Sequence, residues 1–265
     1  MEKWLFQSEK LLSFSTLLKG TTGFENGAGG LLGSSRFTES MALDLLRSSL
    51  GFLTTLPVKG DVDVLRRNLW VFSFVGIFIG SVISIPAVLG FWFLCVLLYV
   101  AIEGVNHIDG LADFGDAFFA PEERKKVAIK DLNLGTGGAV FLCVYFLILF
   151  YSFQRVSAFY IIFSQVLAKF SMLLLLTTSK PAWQGMTGFM MEFARKRDVV
   201  IGSLPLLLVV LKPLAVFPLL FAITISLLVK RYAEEKFGGV SGDVVGASNC
   251  LVFAGSLLVC YFLAD

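Results

Sequence analysis

Apolar positions in this chain gather into long runs and do not show the spacing of half-buried soluble helices. The runs cover residues 69–85, 87–102, 139–153, 158–178, 199–211, 213–229 and 244–263. Most approach the ~20 residues that carry a helix across a bilayer, and 199–211 is the shortest. The pattern predicts an all-α, polytopic transmembrane helical bundle of about seven spans, within a range of six to eight. Pro86 separates the first two runs. Because proline leaves a helical hydrogen bond unmade, a hairpin hinged there is expected. Gly76 and Gly80, four residues apart, permit close contact with another helix.

The first 40 residues read differently. Trp4, Leu5 and Phe6 with Leu11 and Leu12 suit a short helix lying at a membrane interface. Residues 20–35, rich in Gly, Ser and Thr, read as a flexible linker. Residues 1–40 are therefore expected to be a peripheral or flexible extension, and 41–265 the membrane-embedded catalytic domain. Within the latter, Leu43, Leu46, Leu50 and Leu53 share a helical face over 42–56, which Pro57 and Gly60 end. No compact apolar core stands before a small-residue cleavage site, so no cleavable signal peptide is expected.

Composition agrees with a membrane protein: 56% of the 265 residues are hydrophobic and 16% charged, and the mean hydropathy is +0.80. The net charge of +2 comes with no concentrated basic face, so no nucleic-acid partner is expected. Cys95, Cys143, Cys250 and Cys260 all sit in apolar runs without zinc or disulfide spacing. Charge matters through its placement. With the N-terminus in the cytoplasm, 19 of the 22 Lys and Arg residues fall on inward-facing pieces. The reading is a multi-pass plasma-membrane protein whose N-terminus and polar loops face the cytoplasm, in contact with the lipid bilayer. The oligomeric state stays open, a homo-oligomer included.

One polar stretch interrupts this order. Residues 103–116 directly follow an apolar run yet hold Glu103, Asp109, Asp113, Asp116 and the sole histidine, His107. At about 100° per residue, Asn106, Asp109, Asp113 and Asp116 fall within an arc of roughly 80°. Leu111, Ala112 and Phe114 form an apolar back, and Glu103 and His107 lie beside the acidic face one turn apart. Carboxylates packed this closely repel one another, and the usual remedy is a hard divalent cation. Mg²⁺ takes oxygen ligands, typically one or two carboxylates plus substrate phosphates. Asp109, Asp113 and Asp116 are thus the candidate metal ligands.

Two glycine-rich loops share the same face. The first runs from Asp131 through Gly135 to Gly138; the second contains Gly238, Gly239, Ser241, Gly242 and Asp243 and precedes a helix. Glycine lets backbone N–H groups approach phosphate, and a helix start adds a favourable dipole. Together the three elements suit a Mg²⁺-assisted phosphoryl or pyrophosphate reaction. His107 is read either as a general base or as a hydrogen-bonded support residue. A single histidine excludes a multi-His zinc site.

The segment Asn106-His107-Ile108-Asp109-Gly110-Leu111-Ala112-Asp113, followed by Asp116, resembles the His-x-Asp-Gly-Leu-Ala-Asp signature of the cobalamin synthase family, the adenosylcobinamide-GDP ribazoletransferases. Three further elements follow the family pattern in order. These are residues 52–57 (Phe-Leu-Thr-Thr-Leu-Pro), Lys130-Asp131 with Gly135 and Gly138, and Gly238-Gly239 through Ser241-Gly242-Asp243 to Gly246-Ala247. The resemblance covers roughly 48–250. It departs at Asn133 and Leu134, at Ser241 where threonine is usual, and at Cys250 where an acidic residue is usual.

What the resemblance implies is an integral-membrane, Mg²⁺-dependent transferase. Such an enzyme joins adenosylcobinamide-GDP to α-ribazole or its 5′-phosphate, releasing GMP and completing the nucleotide loop of cobalamin. Asp109, Asp113 and Asp116 then become metal and pyrophosphate residues with Glu103 and His107 as close support, and Asp131 and Asp243 complete the acidic set. One alternative is a CDP-alcohol phosphotransferase of lipid synthesis, whose motif expects arginine where Asp113 stands. Another is an ion-coupled transporter, which typically carries intramembrane acids on broken helices.

Overall fold

In a computed structural model of the chain, the described residues are 32–263, with side chains from residue 41 onward. Two units are distinguished, residues 1–43 and residues 44–265. Of the first, only the helical backbone from residue 32 is described, so the interfacial-helix expectation and most of the linker lie outside the described residues. Residues 32–35 are helical, which shortens the expected linker.

Helix α1 spans Leu32–Leu53 and is followed by the short α2, Val62–Arg66, which Asp61 caps by accepting from the Asp63 N–H. Helix α3, Val71–Val88, is mostly buried along one side. The sequence predicts a turn at Pro86, but the chain does not turn there. Pro86 sits in the last turn of α3, where only two residues follow it, and Gly90 makes the reversal with φ of 84°. A proline this close to a helix end costs little, whereas a left-handed residue favours glycine.

Helix α4 covers Leu94–Glu103 and α5 covers Asn106–Phe119. The acidic face was expected to extend the preceding span. Instead the two helices are bent by 95° to one another, with Gly104 at φ 77° in the break. The carbonyls freed at the end of α4 find a partner in Thr55. Its Oγ1 donates to Ala101 O at 2.5 Å, and its N–H donates to Ile102 O at 2.8 Å.

A turn of 3₁₀ helix, Glu122–Arg124, and α6, Lys125–Ala128, lead to α7, Thr136–Ser152. Helix α8, Ala158–Thr178, is buried on nearly every side and packs most extensively on α3 and α12. Short helices α9, Met186–Met191, and α10, Lys196–Gly202, follow. Residues 204–211 are 3₁₀, with Pro205 near the start, so this run is no regular apolar α-helix. It carries the chain from Gly202, beside Leu173, to Lys212, over the Phe159 and Tyr160 rings at the start of α8. Helices α11, Val216–Phe237, and α12, Gly242–Leu263, close the chain. Among the described residues four helices are long and apolar enough to cross a membrane, or five if the bent α4–α5 pair counts as one. Helix α7 is a shorter apolar helix. The all-α polytopic architecture holds with fewer full spans than seven. Outward-facing Leu97, Leu147, Phe217, Leu220, Leu227 and Leu228 give the bundle the apolar exterior that a bilayer covers.

The α3–α8 seam depends on two glycines. A Cβ on Gly76 would stand 2.8 Å from Gln165 O and Val166 Cα, and one on Gly80 would stand 2.5 Å from Ile162 Cα. Backbone cannot yield as a flexible side chain can. Gly80→Leu is expected to cost at least about 1–3 kcal/mol through overpacking, read as a lower thermal midpoint of the protein in detergent. An unchanged midpoint would mean that the two helices are not held this closely.

Candidate active site

The site is built around α5, which is fixed at both ends and along its length. At its start lies a fully buried polar cluster. The Glu103 side chain and that of Lys169 have no exposure at all. Lys169 Nζ donates to Glu103 Oε1 at 2.5 Å and to Asn249 Oδ1 at 2.9 Å. Asn249 Nδ2 donates to the same Glu103 oxygen at 2.6 Å, and Gln165 Nε2 reaches Oε2 at 3.2 Å. Three elements, the end of α4, the middle of α8 and the second turn of α12, are thereby tied together. His107 Nδ1 stands 3.2 Å from Glu103 Oε1, out of line for a hydrogen bond. The His107 carbonyl accepts from Cys250 Sγ at 3.4 Å. Glu103 and His107 thus lie in the buried layer beneath the acidic face.

Along its length α5 is pressed against the start of α12. A Cβ on Gly110 would be 2.8 Å from Asp243 O and 2.9 Å from its Cα, and one on Gly246 would be 3.1 Å from His107 Cα. This approach brings Asp243 into the field of Asp113, which Asp109 and Asp116 also share. Asp109 is exposed, while Asp113 and Asp243 are half-buried. No Lys or Arg among the described residues pairs with Asp109, Asp113 or Asp243. Asn106 is exposed at the start of the same helix.

Asp116 has a different set of partners. Its carboxylate accepts the Gly135 N–H at 2.7 Å and the Gly138 N–H at 2.8 Å, capping α7. The amides of both glycines, which the sequence reading offers to phosphate, are therefore engaged by a side chain. Gly138 also permits close packing, since a Cβ there would lie 2.7 Å from Ala112 O. Asp131, exposed in the preceding loop, accepts from the Asn133 N–H at 3.1 Å and its side-chain amide at 2.9 Å. These two donors hold the Asp131 carboxyl below its ordinary pKa. At the far end of α5, Lys125 Nζ donates to Phe118 O at 2.7 Å and Ala117 O at 3.2 Å. A cation at a helix C-terminus satisfies the last carbonyls and suits the dipole.

In the second glycine loop, Gly238 takes the left-handed conformation that ends α11. Gly239 lies flat against the Lys180–Ala182 backbone, where Pro181 and Val240 form a parallel bridge. Ser241 is buried. Its Oγ accepts from the Val244 N–H at 3.3 Å and donates to Asp243 Oδ2 at 3.2 Å. Ser241 thus caps α12 as a threonine would. Gly242 is exposed at the first turn of α12.

Among the described residues, no group of three or more His, Cys, Asp or Glu side chains is arranged to hold a metal ion by itself. The carboxylates of Asp109, Asp113 and Asp243, which pair with no described Lys or Arg, would suit a Mg²⁺ that draws its remaining oxygens from substrate phosphate and water, the usual manner for this ion. Sequence reasoning missed Lys169, Asn249 and Gln165. A lysine within an apolar span is the available signal, since such residues are rare and normally paired.

Removing Lys169 leaves a buried carboxylate without its counter-charge. Lys169→Met is expected to cost about 3–5 kcal/mol, measured as loss of thermal stability in detergent. The double variant Glu103→Gln/Lys169→Met should recover much of it. Equal stability of Lys169→Met and the unmodified protein would show that the pair is not ionised as drawn.

Comparison with known proteins adds identity to this geometry. The pattern of the cobalamin-5-phosphate synthase family (CobS) matches residues 45–261. An adenosylcobinamide-GDP ribazoletransferase of Archaeoglobus fulgidus is 49% identical over 220 residues, covering 80% of this chain and 94% of the relative. The enzyme of the same description from Pyrococcus abyssi is 35% identical over 82% of this chain and 97% of its own length. That from Thermococcus kodakarensis is 31% identical, with 81% and 96% covered. No solved structure matches the chain. On the extent of these matches, the chain belongs to the cobalamin-5-phosphate synthase family.

Proposed function

We propose that the protein is a Mg²⁺-dependent adenosylcobinamide-GDP ribazoletransferase acting from the cytoplasmic side of the plasma membrane. It joins adenosylcobinamide-GDP to α-ribazole or its 5′-phosphate and releases GMP, the step that assembles the nucleotide loop of cobalamin. Family membership displaces the CDP-alcohol phosphotransferase and the transporter as readings. The observation that carries the assignment of the site is the convergence of Asp109 and Asp113 with Asp243 where Gly110 lets two helices touch. Support for the cytoplasmic orientation comes from the 19 of 22 basic residues on the corresponding loops.

The pyrophosphate of the GDP moiety lies across the start of α12, where the Gly242 and Asp243 end of a 22-residue helix favours negative charge. Asp109, Asp113 and Asp243 would hold Mg²⁺, which offsets phosphate charge and stabilises the departing phosphate when bound. The ribazole hydroxyl oxygen bonds to the phosphorus attached to cobinamide as the bond to GMP breaks. GMP leaves with the bridging oxygen, and the hydroxyl proton is lost to solvent at the exposed Asp109 edge. Catalysis of this kind is mostly positioning and charge stabilisation. Glu103 and His107, in the buried layer, set the direction of α5. Asp116 with Gly135 and Gly138 sets the position of α7 against it.

Asp113→Asn and Asp109→Asn are each expected to lower turnover roughly 10²-fold or more, with membrane insertion and thermal midpoint preserved. The assay is GMP release from adenosylcobinamide-GDP with α-ribazole and Mg²⁺. Near-normal turnover by both variants would sink the assignment. Chelation should abolish GMP release and added Mg²⁺ restore it; activity surviving full chelation would remove the metal from the proposal.

A further inference from the structure

Between α8 and α9 the chain forms a hollow of about 550 Å³ that the reaction described above does not use. Its walls include Pro181, Trp183, Gly185, Gly188, Phe189 and Glu192. The hollow adjoins the active site by several independent contacts. Ala182 N–H donates to Val240 O at 3.0 Å, and Val240 N–H donates to Lys180 O at 2.8 Å. The loop is thereby paired with the second glycine loop, three residues before Asp243. Thr187 Oγ1 lies 3.6 Å from where a Cβ on Gly242 would stand. Lys130, beside Asp131, covers the Trp183 ring at 4.1 Å from its centroid. Trp183 therefore sits where the three polar segments of the sequence meet.

The walls are held in place beforehand. Arg66 stacks on Phe189 at 3.8 Å and on Phe193 at 4.5 Å, pairs with Glu192 Oε2 and donates to Asp63 at 2.7 Å. The other oxygen of Glu192, Oε1, has no partner among the described residues. The Trp183 indole that Lys130 covers is itself one of the walls. An indole wall, two glycines that leave room beside it and a carboxylate held by Arg66 suit a planar base with two adjacent N–H donors. Guanine has such an edge at N1 and its 2-amino group. The benzimidazole of α-ribazole has no N–H donor, and adenine offers an acceptor at the equivalent ring position.

We propose that this hollow holds the guanine ring of the GDP substrate and of the departing GMP, stacked by Trp183 and selected by Glu192. The inference rests on the transferase reading for its choice of nucleotide. With the phosphates at α12 and the base beside Trp183, the nucleotide is held at both ends, and the corrinoid half is left on the α5 side.

The test is equilibrium dialysis of the full-length protein in detergent against GMP and AMP, together with initial-rate kinetics. GMP is expected to bind more tightly than AMP. Trp183→Leu should weaken GMP about tenfold or more with the KM for α-ribazole unchanged, and Trp183→Phe should restore most of the affinity. Glu192→Gln, which can still accept from Arg66, should cut the preference for GMP over AMP about tenfold. Unchanged GMP affinity in Trp183→Leu, or a raised KM for α-ribazole in its place, would overturn the proposal. If Trp183→Leu does not fold, photolabelling of the unmodified protein by 8-azido-GMP decides the matter. Label within 180–193 supports the site; label elsewhere overturns it. Labelling here without GMP release from the corrinoid substrate would sink the transferase reading and leave the base site standing. Normal turnover with label elsewhere would do the reverse.

Discussion

The arrangement rests on one buried ion pair. Glu103 and Lys169 stand 66 positions apart in sequence, and neither side chain reaches solvent or lipid. Taking such charges out of water costs several kcal/mol per ion, and only close pairing with further hydrogen bonds offsets the cost. Here Asn249 and Gln165 supply those bonds. The cluster is satisfied only when α4 ends where it does, so it specifies the break as well as surviving it. Gly104 provides the left-handed turn, and Thr55 takes up the carbonyls that the break exposes. The result is an α5 that leaves at a steep angle with its acids together.

From that break onward, contact distance governs the chemistry. The carboxylates of α5 would be a solvated face if α12 stood one side-chain layer away. Gly110 and Gly246 remove that layer on both helices, and the start of α12 arrives next to Asp113. Like charges at this range repel, and their repulsion is useful only if a cation or a polarised phosphate enters between them. Ser241 keeps the start of α12 regular by capping it, and Gly242 beside it is exposed. The glycines here act through what they allow to approach.

Local patterns made much of this visible in the sequence. The acidic face of α5 follows from the helical period over 106–116, whereas Ser241, read as part of a phosphate loop, caps the helix that follows it. Bundle architecture followed from run length alone. Other features depend on partners far away in the chain. The bend at Gly104 is set by Lys169 and Asn249, while Pro86 looked like the stronger breaker. Asp116 matched the metal spacing, yet the amides of Gly135 and Gly138, some twenty residues on, give it a capping task. The run 199–211 counted as a helical span by its hydropathy, but it is 3₁₀ from Leu204 onward, with Pro205 near the start. The pairing of Arg66 with Glu192, 126 residues later, had no local signature.

The layering has a consequence for how the parts answer to change. The exposed Asp109 and half-buried Asp113 and Asp243 are not charges that the fold needs, since none of them is paired with a described cation. The buried cluster beneath carries charge that the fold cannot leave unbalanced. Substitution in the upper layer should therefore spare assembly and alter reactivity, whereas substitution in the lower layer alters assembly first. Asp243 belongs to both, because its backbone forms the contact with Gly110 while its carboxylate meets Asp113. The start of α12 is thus the point through which errors in packing become errors in charge placement.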